Sequence, residues 1–118
     1  MTRAFALAAL FLITACADDP TVGQRCRIGG DAGNPEEVIV ASPSLDCVSR
    51  TCLHAPGGQD LCTAACSSDA DCEGAAGSPC RSGFACAVPV VVGPFACQSM
   101  CVCRDDLDSE PTVPEVCR

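Results

Sequence analysis

Twelve cysteines lie between residues 26 and 117, and little else in that stretch could build a core. Cysteine at this density in a short exported chain reads as a disulfide scaffold. Each bridge typically contributes about 2–4 kcal/mol, mainly by restricting the unfolded chain. The aromatic content shows why such help is needed. There is no Trp or Tyr, and Phe5 and Phe11 fall in an apolar leader, so only Phe84 and Phe95 remain for the folded part. Large aromatics dominate the energetics of cores and interfaces. The sequence therefore predicts a small disulfide-rich fold of short β-hairpins and loops with little helix. Cys26, Cys47, Cys52, Cys62, Cys66, Cys72, Cys80, Cys86, Cys97, Cys101, Cys103 and Cys117 are the expected bridge residues, with their pairing open.

The thirteenth cysteine, Cys16, closes the leader. Arg3 is followed by twelve uncharged residues, Ala4 to Ala15, and Asp18 and Asp19 come soon after. An apolar run of 7–15 residues behind a positive charge suits a signal peptide, whereas about 20 are needed to span a bilayer. Ile13-Thr14-Ala15-Cys16 resembles the lipobox of bacterial lipoproteins. That resemblance implies a diacylglycerol on the Cys16 thiol, cleavage before Cys16, and acylation of the new amine. Ala15-Cys16-Ala17 also fits the A-x-A pattern of ordinary secretory cleavage, which would release a soluble protein. On the first reading residues 1–15 are the signal peptide, 16–25 a polar tether and 26–118 the disulfide-rich domain. The nine residues 17–25 would reach roughly 30 Å when extended.

Charge narrows the choice of partners. All seven basic residues are arginine, against fifteen acids, and the chain carries a formal −8. Such a surface repels phosphate backbones, so nucleic acid is not an expected partner. The expected partners are a membrane, reached through the lipid, and an extracytoplasmic protein.

The cysteines run as Cys47-x4-Cys52-x9-Cys62-x3-Cys66, then Cys72, then Cys80-x5-Cys86-x10-Cys97-x3-Cys101. The two strings match at an offset of about 34 residues and suggest two weakly repeated lobes. Val38-Ile39-Val40 reads as a strand. Phe84 to Val92, the turn Gly93-Pro94 and Phe95 to Cys103 read as a hairpin. Pro89 places the first of its strands at a sheet edge.

Three constellations could carry chemistry. Cys62-x3-Cys66 and Cys97-x3-Cys101 have zinc-knuckle spacing, but cysteines outside the cytoplasm are oxidised. Asp69-x-Asp71-x-Glu73-Gly74 copies the first half of a calcium loop, yet Cys80 stands where the bidentate Glu belongs. Ser68-x-x-Asp71 reads more simply as a capping box. His54, the only histidine, has no motif joining it to a nucleophile and is expected in a loop beside Pro56-Gly57-Gly58. No catalytic residue, metal or cofactor is predicted, and no enzyme.

A broader resemblance follows from these residues. The leader with Ile-Thr-Ala-Cys, the string from Cys62 to Cys72 that ends C-S-S-D-A-D-C, Cys80 to Cys86 (C-R-S-G-F-A-C) and Gly93 to Asp105 (G-P-F-A-C-Q-S-M-C-V-C-R-D) are similar to cysteine-rich lipoproteins of some Gram-negative bacteria, which have no agreed activity. The likeness covers most of the chain after Cys47. It implies a location and an oxidation state. Ala17 rather than Asp after the lipidated cysteine implies the outer membrane. Cys66-x-x-Asp69-x-Asp71-Cys72 is also similar to a piece of whey-acidic-type modules, without the adjacent cysteine pair those carry. The function expected is a lipid-anchored envelope or surface protein with a binding or structural role. The rival is a protease inhibitor using the uncharged loop Ala87 to Ala96, against the expectation that this segment is a packed hairpin.

Overall fold

The computed structural model describes residues 20–29 and 36–118. The signal peptide expected at residues 1–15, Cys16 and part of the Gly29–Pro35 loop lie outside these residues. Three strands, β1 (Ile39–Ala41), β2 (Cys52–His54) and β3 (Leu61–Cys62), form one antiparallel sheet in that order. β4 (Phe84–Ala87) and β5 (Met100–Cys103) form a second, two-stranded sheet. The only helical elements described are three 3₁₀ turns, at Asp69–Asp71, Arg104–Asp106 and Glu115–Cys117. This is the disulfide-rich, hairpin-and-loop class that the sequence predicts.

All twelve cysteines from Cys26 onward are paired. The bridges are Cys26–Cys52, Cys47–Cys62, Cys66–Cys86, Cys72–Cys101, Cys80–Cys103 and Cys97–Cys117. The first four follow one rule twice. Cys52 and Cys62 face each other across β2 and β3, and each is tied back to an earlier cysteine, Cys26 and Cys47. Cys86 and Cys101 face each other across β4 and β5 and are tied back to Cys66 and Cys72. Each hairpin is thus stapled by two interlaced bridges to the segment before it. The 34-residue register is not the one used. It would match Cys47–Cys62 to Cys80–Cys97, whereas Cys80 joins Cys103 and Cys97 joins Cys117. These last two bridges have no counterpart in the first lobe.

Cystine sulfur takes the place of the missing aromatics. Seven of the sixteen buried apolar residues described are cysteines. Cys26, Cys47, Cys52 and Cys62 form one cluster, flanked by Ile28 and Ala41. The other holds Val22, Leu61, Phe84, Cys72, Cys101 and Cys103. The lobes are joined by backbone bonds from Cys66 N–H to Ser99 O (3.1 Å) and from Cys101 N–H to Ala64 O (3.1 Å). The buried Thr63 hydroxyl adds a bond to Cys101 O at 2.7 Å. A hydroxyl at this depth needs a partner, and a main-chain carbonyl supplies it.

Val22–Arg25, assigned to the tether by the sequence, belong to the fold. Val22 is buried against Phe84 and Leu61. Its carbonyl accepts from Ala75 N–H at 2.7 Å, and Gly23 N–H donates to Cys62 O at 2.8 Å. Arg25 pairs with Leu61 as an isolated bridge beside β3. A polar composition hid this because one valine and main-chain groups do the docking.

The second hairpin is also shorter than expected. Its strands stop at Ala87 and resume at Met100, leaving a loop over 88–99. Pro89 has no N–H for a ladder. Gly93 (φ 82°) and Cys97 (φ 61°) take left-handed conformations that no strand contains. Cys97 is held there by Cys117.

Candidate functional site

With every described cysteine in a bridge, none of them offers a thiolate for metal binding or nucleophilic attack. The calcium-like string is likewise engaged. Asp71 reaches back to accept from Ser67 N–H (2.8 Å) and Ser68 N–H (3.1 Å), the capping arrangement expected from its spacing. Asp69 accepts from Cys86 N–H at 2.8 Å and pairs with Arg104 at 2.7 Å. Arg104 also meets Glu110 at 3.0 Å. These carboxylates turn toward N–H donors, the reverse of what a cation requires. They latch the 3₁₀ turn at 69–71 onto β4 and fix the start of the tail.

His54 stands at the end of β2 opposite Ile39, not in the following loop. Its Nδ1 lies 2.6 Å from Asp60 Oδ1. The pair clasps the two ends of the loop between β2 and β3. Asp106 lies over Gly58, where an added Cβ would come within 2.6 Å of its Oδ1. Burial pushes the Asp106 carboxyl up, helped by the neighbouring Asp105 and opposed by His54. Asp105 is held low, first by a hydrogen bond from the Ser82 side chain and then by the Arg81 N–H.

An open cleft of about 780 Å³ is lined by Arg25, Arg27, Asp46 and Asp60 with Gly58 and Gln59. Arg25 and Arg27 belong to no sequence motif. The signal was their spacing around Cys26. Because Cys26 points inward to Cys52, its neighbours on an extended chain point outward together. Two arginines face two aspartates here, so the cleft offers no strong field of either sign.

The loop over 88–99 is an exposed apolar feature with both ends fixed. Val92 is 77% exposed and Val91 42%. Its shoulders are the bridged Cys86 and Cys97, and Cys97 N–H donates to Val90 O at 3.0 Å. The tail returns to it through Cys117, leaving Val113 and Val116 exposed as well. Val91 and Val92 therefore stand clear of any strand pairing, contrary to the packed hairpin expected for them. A second convex turn carries Leu45 and Val48, which are also exposed. It is held by bonds from Ser44 N–H to Arg50 O (2.8 Å) and Arg50 N–H to Cys47 O (3.0 Å).

Comparison with protein-family models, with curated proteins and with solved structures gives no match.

Proposed function

We propose that the chain is exported and lipid-anchored at Cys16, and that the stapled domain has a binding or structural role at the cell envelope, on the outer membrane. The observation carrying this reading is the exhaustion of cysteine partners. Thirteen cysteines are present, twelve pair among themselves, and Cys16 is the one left over. Six bridges suit an oxidising, extracytoplasmic compartment. A lone cysteine behind an apolar leader suits thioether lipidation. Among the described residues no helix is long and apolar enough to cross a membrane. A lipid would supply the attachment, each buried CH₂ adding about 0.8 kcal/mol, with two or more chains needed for firm hold.

The expected result is read by intact mass of protein from the membrane fraction. It should begin at Cys16, carry acyl chains and lack twelve hydrogens relative to the reduced chain. Cys16→Ser should abolish the acyl mass. Recovery of a soluble chain beginning at Asp18 would replace this reading with ordinary secretion.

Protease inhibition is a second reading, favoured by the exposure of Val91 and Val92. A loop crosslinked on both shoulders loses little entropy when it binds, which is what an inhibitor needs. Its expected mark is tight, reversible inhibition of an extracytoplasmic peptidase by the fully oxidised protein.

A further inference from the structure

No charged residue lies between Arg81 and Arg104, although the chain as a whole is strongly acidic. The loop between β4 and β5 occupies the middle of that stretch. Its core is a ring of eight residues, Val90 to Cys97, closed by the bond between Cys97 N–H and Val90 O. Inside the ring Ala96 N–H donates to Gly93 O at 3.1 Å, and Gln98 Nε2 braces Pro94 O at 3.4 Å. Pro89 and Pro94 fix φ on either side. The loop is thus shaped before it meets anything, and Val92 is its most exposed apolar side chain.

We infer that Val92 is the residue this loop inserts into a serine peptidase, and that the pocket receiving it is small and aliphatic, of the elastase type. The inference rests on the inhibitor reading above. Valine is too short to reach the carboxylate at the base of a trypsin-type pocket and leaves a wide aromatic slot largely empty. Each methylene left unfilled costs about 10–200-fold in selectivity. Val91 and Val92 lie in the bend that leads into the Gly93 turn, and their exposure separates them. Val92 is nearly twice as exposed as Val91.

Gly93 explains why such a chain inhibits instead of being consumed. At φ 82° it turns the backbone away immediately after Val92, so the following residues leave the extended binding track. Attack of the peptidase serine on the Val92 carbonyl would form an acyl ester and release the Gly93 amine, which takes its proton from the peptidase histidine. That amine stays in place, because the Cys72–Cys101 and Cys80–Cys103 bridges join the chain before the cut to the chain after it, and Cys97 N–H is hydrogen-bonded to Val90 O. It returns its proton, attacks the same ester and restores the peptide bond and the free serine. The held amine acts at high effective concentration and outcompetes water.

The test uses the oxidised chain with all six bridges verified by mass. Inhibition constants are measured against elastase-type, trypsin-type and chymotrypsin-type peptidases for the native protein, Val92→Arg and Val91→Arg. Both positions are exposed, so neither change disturbs the core. The native protein should inhibit the elastase type most strongly. Val92→Arg should weaken that inhibition at least a hundredfold and confer inhibition of the trypsin type, whereas Val91→Arg should not confer it. If Val91→Arg makes the switch and Val92→Arg does not, the inhibitor reading stands and this assignment falls. Accumulation of chain cut between Val92 and Gly93 with fading inhibition would overturn the resealing step. If none of the three proteins inhibits any of the three peptidases, the inhibitor reading itself fails.

Discussion

Replacing Cys72 and Cys101 together by alanine is expected to cost more stability than removing any other single bridge of the second lobe. The control is the pair Cys97 and Cys117. The two bridges span similar stretches, 29 and 20 residues. Loop-closure entropy assigns them nearly equal contributions, about 3.6 and about 3.3 kcal/mol. Their surroundings differ sharply. Cys72 and Cys101 are 4% and 1% exposed and sit in the cluster with Val22, Leu61 and Phe84. Cys97 is exposed and Cys117 half-exposed. Removing two buried sulfurs leaves a cavity, which adds about 1–2 kcal/mol to the loss. Urea unfolding of both double variants, each checked for five intact bridges, measures the difference. A gap of 1 kcal/mol or more in the expected direction shows cystine acting as core material. Equal losses would mean that the bridges act on the unfolded chain alone and that the packed sulfur contributes nothing beyond it.

The same distinction explains what could be read from the sequence. Cysteine density and the scarcity of aromatics bear on the total of burial and crosslinking, and both pointed to the right class of fold. Local signals also carried through. The β-branched run at Val38 to Val40 appears, one residue later, as β1. The spacing of Ser68 and Asp71 gave the carboxylate that caps its own turn. Pairing was a different matter. Which cysteines meet depends on how the hairpins lie against the segments before them, and spacing along the chain does not encode that. The 34-residue spacing therefore pairs Cys80 and Cys97 with bridge positions of the first lobe, while the interlaced pattern uses Cys66 and Cys72. His54 was misplaced because three residues of glycine and proline follow it closely and outweighed the strand signal of Cys52 and Leu53. The loop at 88–99 was misread because a run of valine favours a strand, and the left-handed turn imposed at Cys97 comes from a partner twenty residues away. The candidate site is therefore the part where crosslinks overrule local preference.

Gly23→Ala should be the most damaging exchange at a residue outside the bridges. Two costs coincide there. Gly23 has φ 86°, where an alanine costs about 1–2 kcal/mol. An added Cβ would also stand 2.6 Å from Phe84 Cζ, 2.8 Å from Cε2 and 2.5 Å from Ser78 Oγ. Overpacking of this kind costs about 1–3 kcal/mol. Phe84 cannot yield easily, since it is buried in the second cluster and begins β4. Gly57→Ala separates the two terms. Its φ is 72°, and nothing lies within 4 Å of the added Cβ. Thermal unfolding should therefore show about 1–2 kcal/mol lost at Gly57 and about 2–5 kcal/mol at Gly23. Equal losses would mean that residues 22–25 are not docked. If the larger loss is found, the domain begins at Val22 and not at Cys26. Only five residues then separate it from Cys16, a reach of roughly 20 Å or less even when fully extended. On the anchored reading the domain is held against the membrane surface, and its partners must be reached there.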